Sequence, residues 1–345
     1  MRRTGIFALA AMVALAGGAA ALGARAASQP AQPATTTAPA ATAPAPANLK
    51  VLCSTFPIYL FTRNVVAGRE GIRLDLLLPA ALGCPHDYVV TTRDMQTLAS
   101  ADVLVINGLG MEDFLAKPLK KAKADLKVVD SSASVADLIP MIGQEHPRGH
   151  EAAQAGAHDQ GEGDEQSKGP APNPHLFASP RQAAKVARNI AEGLAALDPA
   201  GAATYRTNAA AYAARLEKLA DGFAAEVAKL PNRKIVTQHA VFDYLARDAG
   251  LEVVAVIEAE PGQEPAAAEM IDLVRTIRRT RAGAVLAEPQ YGTEVAATIA
   301  REAGVPSAVL DPVANGAADA PADYYEKVMA RNLQTLKDLL GPKDK

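Results

Sequence analysis

Three histidines carry the chemistry that can be read from this 345-residue sequence. His86 stands in PAALGCPHDY, His175 in NPHLFASP and His239 in VTQHAVFDY. Each falls in a short turn where a strand is expected to end or a helix to begin. Asp311, in VLDP, closes an expected strand in the same sense. In open α/β sheets ligands bind beyond the carboxyl ends of the strands, so these four side chains can converge. Three imidazoles and one carboxylate suit Zn²⁺, a borderline-soft ion that accepts nitrogen donors in near-tetrahedral geometry. An all-oxygen set would suit Mg²⁺ or Ca²⁺ instead. Taken singly, a His in such a turn is more often a hydrogen-bonded surface or cap residue than a ligand, and Asp311 before Pro312 is a common turn or cap residue. No compact H-E-x-x-H motif is present.

The elements that must position these residues alternate. Short apolar runs predict strands at residues 49–55, 73–78, 102–107 and 127–130, and again at 234–237, 252–257, 284–287 and 307–311. Helical spacing predicts helices over 58–66, 92–99, 111–119, 181–197, 203–230, 241–249, 266–280, 294–303 and 323–340. Thr91 or Thr92 is the expected N-cap of the second of these. The alternation predicts an α/β fold of two lobes, each a mainly parallel sheet flanked by helices, joined by one long linker helix. The expected boundaries are a signal peptide at 1–27, a Pro/Ala/Thr-rich tether at 28–48, an N-terminal lobe at 49–198, the linker helix at 199–230 and a C-terminal lobe at 231–345. Within the first lobe, residues 143–172 form an acidic, nearly non-apolar loop holding His146, His150 and His158. With Glu145, Glu151 and Asp159 beside them, these three can bind accessory zinc, or the loop can be no more than a solvated acidic insertion.

Composition narrows the function classes. The chain is 49% hydrophobic and 21% charged, with a formal net charge of −3, so a basic footprint for nucleic acid is absent. Arg2 and Arg3, an uncharged Ala-rich stretch and the small-x-small run Ala24-Arg25-Ala26 have the form of a cleaved export signal. The two cysteines, Cys53 and Cys84, therefore suggest a disulfide in an oxidising compartment. The alternative is Cys84 as a thiolate metal ligand, two residues before His86. Glu288, at a strand end, is a candidate partner for a ligand histidine or a fold-stabilising cap, and Asp87 invites the same pair of readings.

Four segments carry a resemblance over residues 49–340: PHDYVVTTRDMQTLASADVLVINGLGMEDFL (85–115), NPHLFASPRQAAKVARNIAEGLAALDPA (173–200), IVTQHAVFDYLARDAGL (235–251) and AVLAEPQYGTEVAATIAREAGVPSAVLDP (284–312). In order and spacing the chain resembles the zinc/manganese group of metal-specific substrate-binding proteins of ABC importers. The resemblance implies His86, His175, His239 and Asp311 as metal ligands. His rather than Glu at position 239 implies the zinc branch, and the acidic loop resembles the charged loop of that branch. It further implies Zn²⁺ as transported ligand rather than catalytic cofactor, a periplasmic location, a permease and its ATPase in the inner membrane as partners, a monomer, and no enzymatic activity. Cys84 beside His86 departs from the family pattern, as does Phe177 where Trp is common, and the second lobe has no Cys. Manganese or iron carriage is the alternative within the family. An exported zinc hydrolase is the alternative of another class, and it would need an open fourth position that Asp311 closes. A metal-independent adhesin would leave the four segments without a role.

Overall fold

The computed structural model describes residues 48–85, 88–123, 125–141, 171–258 and 263–342. The expected signal peptide, nearly all of the tether, His86, Asp87 and the three histidines of the acidic loop lie outside the described residues. Among the described residues, eight strands build two sheets. The first contains β1 (Leu49–Cys53), β2 (Ile72–Leu76), β3 (Val103–Ile106) and β4 (Lys127–Asp130) in the order β2-β1-β3-β4. The second contains β5 (Lys234–Thr237), β6 (Glu252–Val256), β7 (Ala284–Ala287) and β8 (Ser307–Val309) in the order β6-β5-β7-β8. Every pairing is parallel, as the alternating pattern predicts. The inner strands β3 and β7 read VLVI and AVLA and are buried on both faces, which is why they carry no polar alternation. The edge strands β4 and β8 are short and partly exposed.

Helices cover the sheets. The first lobe carries α1 (Phe56–Val65), α2 (Thr92–Ser100), α3 (Ala116–Ala122) and α4 (Pro180–Leu197). Next comes α5 (Ala202–Val227), followed by α6 (Asp243–Ala249), α7 (Ala267–Thr280), α8 (Glu294–Ala303) and α9 (Tyr324–Leu340). Thr91 caps α2 in a reciprocal box with Asp94. Two expected helices start later than their apolar spacing suggests. Residues 113–115 are a 3₁₀ turn before α3, because Pro118 is tolerated only in the first turn of an α-helix. Residues 240–242 form a similar turn before α6, which then ends on Gly250 at φ 79°. Helix α5 stops at Val227 rather than 230, as the chain tightens into i,i+3 hydrogen bonds at Lys229 and Leu230 ahead of Pro231, which bars Leu230 from the helical region.

The 26 residues of α5 span about 39 Å. Its buried stripe of Tyr205, Tyr212, Leu216 and Phe223 packs against α1 and α4 on one side and α6 and α9 on the other. One continuous core therefore runs from Val51 of β1 through α5 to Leu286 of β7 and Leu336 of α9. Phe61 of α1 meets Tyr325 of α9 edge-on at 5.3 Å, and both are fully buried. Removing either ring would forfeit about 3–5 kcal/mol. Smaller clusters around Leu98 and Leu104 and around Val285 and Ile299 seal the outer faces of the two sheets.

Candidate metal centre

In the second lobe, Val236 pairs with Val285 and Thr237 with Leu286. Continuing that register two residues beyond the strands sets His239 beside Glu288. Glu288 Oε1 accepts from His239 Nδ1 at 2.5 Å, and both side chains are buried. The carboxylate also accepts from Gln290 Nε2 at 2.6 Å, and the Glu288 backbone N–H donates to Gln238 Oε1 at 3.0 Å. Burial pushes the Glu288 carboxyl above its usual range, against the pull of His239. Of the two readings of Glu288, the histidine partner is the one realised. The proton on Nδ1 leaves the lone pair of His239 on Nε2.

His175 comes from the turn that precedes α4. Asn173 Oδ1 accepts from the His175 backbone N–H at 2.9 Å and lies 2.8 Å from its Nδ1. The same amide donates through Nδ2 to Ala240 O at 2.7 Å and to Asp243 Oδ2 at 3.1 Å. Its oxygen can only accept, so His175 also carries its proton on Nδ1. Asn173 thus orients one imidazole and clamps the turn to the second lobe. Asn107 supports that turn from the other side, donating to Pro174 O at 2.9 Å. Glu112 holds the Asn107–Gly108 turn through both backbone N–H groups and accepts from Ser54 Oγ at 2.7 Å. Burial pushes its carboxyl up to about 7 against those three hydrogen bonds.

The two imidazoles meet edge-on with ring centroids 5.0 Å apart. Phe177 packs on His175 and Tyr291 on His239, each at 5.8 Å. Cys84 completes the group. Its thiol and one nitrogen of each ring all lie within 4.8 Å of one another. Among the described residues this is the one group of three or more His, Cys, Asp or Glu side chains close enough to share an ion. Asp311 is not a member of it. Its carboxylate accepts from Val313 N at 2.8 Å, in a turn where Val313 adopts φ 65°, a conformation that β-branched residues rarely take. Asn332 brackets the Asp311 backbone at both its N–H and its carbonyl.

The expected Cys53–Cys84 disulfide is corrected. Both cysteines are free. Cys53 belongs to β1, and desolvation pushes its fully buried thiol up to about 12. Cys84 lies beyond β2 and faces the second lobe, where burial raises its thiol and the nearby Glu288 adds to the rise. The sequence pattern gave no sign of Asn107 or Glu112 as supports. Asn173 alone had a local signal, as a turn residue before Pro. A larger groove of about 790 Å³ runs along β6 and α7, but its lining has no imidazole or thiol.

Comparisons with known proteins bear on the family and the fold. A family model described as "Zinc-uptake complex component A periplasmic" matches residues 51–339. The zinc-binding protein AdcA of Streptococcus pyogenes serotype M3 is 30% identical over 297 residues, covering 85% of this chain and 56% of that relative. The chain thus spans little more than half the length of that relative. The high-affinity zinc uptake system protein ZnuA of Bacillus subtilis is 29% identical over 295 residues, covering 85% and 88%. Among solved structures, a crystal structure of ZnuA superposes with a TM-score of 0.68 at 27% identity, covering 85% of this chain and 99% of that one.

Proposed function

The chain belongs to the family described as zinc-uptake complex component A, periplasmic, and from that premise we propose that it captures Zn²⁺ outside the inner membrane and delivers it to an ABC permease with its ATPase. The observation that carries the reading is the pair of buried imidazoles, each with Nδ1 tied to an acceptor and each contributing a nitrogen to one compact group. His175 and His239 are the ligands best supported by geometry. His86 and Asp311 are proposed beside them on the strength of their motifs. Binding replaces the water around the ion with fixed donors, and neutral imidazoles make the affinity fall in acid. His239, where a carboxylate would favour a harder ion, favours Zn²⁺ over Mn²⁺.

Delivery follows from where the ligands stand. His175 is fixed to the first sheet through Asn107 and His239 to the second through Glu288. An ion between them ties the two sheets together. The continuous core through α5 and α9 opposes wide opening, so loading changes the cleft by small shifts rather than a hinge swing. The permease is proposed to read those shifts.

The test is a competition titration of metal-free protein with Zn²⁺ and Mn²⁺, beside His239→Ala and His175→Ala. The expected result is one tight Zn²⁺ site lost in both variants. A tight site indifferent to both substitutions would overturn the assignment, and a preference for Mn²⁺ would move the chain to the other branch of its family.

A further inference from the structure

The Cys84 thiol enters the site in a way the motif-based ligand set does not anticipate. We propose that Cys84 is itself a ligand, so that its sulfur and the two imidazole nitrogens of His175 and His239 take three corners of the metal's coordination sphere. This rests on the zinc-carrier reading and specifies how that site selects its ion.

Four observations carry it. First, the three donor atoms already lie within 4.8 Å of one another. Zn–S and Zn–N bonds of about 2.3 and 2.0–2.1 Å at tetrahedral angles require donor separations of about 3.3–3.6 Å. Closing the group around an ion therefore needs movements of about 1 Å, within the reach of side-chain adjustment. Second, the loop that presents Cys84 is pressed onto the opposite lobe. Gly83 sits at φ 83°, and a β-carbon there would stand 3.0 Å from the side chain of Gln290, the residue that also bonds Glu288. The sulfur is thereby set near the strand end that orients His239. Third, a cavity of about 10 Å³ beside the sulfur is bordered by Thr55, Cys84, Met111 and Phe177. Thr55 is buried and its hydroxyl has no protein hydrogen-bond partner, which is unusual for a buried polar group. Fourth, Cys84 is not engaged with Cys53, which is sealed inside the first sheet.

The chemistry follows from the donor. On coordination the thiol proton leaves to solvent and the thiolate binds the ion. Thiolate with two imidazoles suits Zn²⁺ and softer ions, and it disfavours Mn²⁺, Mg²⁺ and Ca²⁺, which prefer oxygen. Cys84 is thus a specificity-determining ligand.

Cobalt substitution tests this directly on the full chain. Co²⁺ bound through a thiolate shows a sulfur-to-metal charge-transfer band in the near ultraviolet, which histidine and carboxylate ligands do not give. The expected result is that band in the wild-type protein and in Cys53→Ala, and its loss in Cys84→Ser with visible ligand-field bands retained. Zn²⁺ affinity of Cys84→Ser should fall by more than about tenfold, the lower end of what disturbing even an outer partner costs. Affinity for Mn²⁺ should change less. Should Cys84→Ser fail to fold, two wild-type measurements still decide: the charge-transfer band, and slower alkylation of Cys84 by iodoacetamide once Zn²⁺ is added. Ligand-field bands without a charge-transfer band would overturn the thiolate assignment and leave the carrier reading standing. Failure of the wild-type protein to take up either Zn²⁺ or Co²⁺ would overturn both.

Discussion

Replacing Glu288 by Gln isolates the contribution of one buried carboxylate to metal capture. The substitution keeps shape and volume. It changes the hydrogen-bond arithmetic, because both side-chain partners of Glu288 donate: His239 Nδ1 at 2.5 Å and Gln290 Nε2 at 2.6 Å. A carboxylate accepts from both. An amide offers one oxygen and one NH₂, so it cannot accept from both partners as they stand. If the oxygen turns toward His239, the Gln290 amide must flip to offer its own oxygen, which has no hydrogen-bond partner in the wild type, to the new NH₂. If it turns toward Gln290, the imidazole loses its acceptor and its fixed tautomer. In either case the ring also loses the negative charge that strengthens its Nε2 lone pair. A hydrogen bond to a charged group contributes about 1.5–3 kcal/mol. Loss of an outer-shell partner of a ligand histidine lowers metal affinity about 10–100-fold, or about 1.4–2.8 kcal/mol. The two estimates agree, so Glu288→Gln should weaken Zn²⁺ binding about 10–100-fold. Competition with a chromophoric chelator reads the affinity, and the melting temperature of the metal-free protein checks that the fold is intact. A change under about threefold in a well-folded variant would show that His239 does not depend on Glu288 for its geometry, and would remove the register argument as a route to the site.

Two further outcomes test the scaffold. Gly193 lies in α4 with its missing β-carbon 2.3 Å from Val129 Cγ1 of β4, so Gly193→Ala should destabilise the protein by about 1–2 kcal/mol, overpacking outweighing the helix preference for Ala. Denaturant titration of Gly193→Ala, Val129→Ala and the double variant should show the pair costing less than the sum of the singles; strict additivity would remove the contact as the cause. Asp198 is buried, which alone would raise its carboxyl, but hydrogen bonds from Arg69 and Tyr205 overcome this and hold it below the usual aspartate range. Its stabilising contribution is therefore complete above the unfolded aspartate range and is lost as pH falls through the lower, folded value. Melting curves between neutral and strongly acid pH should decline less steeply in Asp198→Asn, and curves parallel to wild type would count against this linkage.

How far the sequence reached is visible in single elements. Each of the eight described strands lies where a short apolar run predicts it, and the inner ones, β3 and β7, are clearest because a strand buried on both faces leaves a local mark in composition. Helix limits moved where Pro118 and Pro231 intervened, a local effect that periodicity does not register. The site was partly legible. His175, His239 and Glu288 stood out as polar residues at strand ends or turns, and the fold brings them to one place. Asn107 and Glu112 were not legible, since their role is to hold a backbone turn against a segment far along the chain.

By itself, then, the sequence determined the two-sheet α/β class and the residue types available for a nitrogen-rich metal site, because burial and turn chemistry act on neighbouring residues. Only the tertiary structure decided the pairings. The register of β5 against β7 set Glu288 beside His239. The inward packing of β1 kept Cys53 from Cys84, and the pressing of the Gly83 loop onto Gln290 turned Cys84 toward the imidazoles. These outcomes depend on how two sheets pack around α5 and α9, a balance of contacts between residues far apart along the chain.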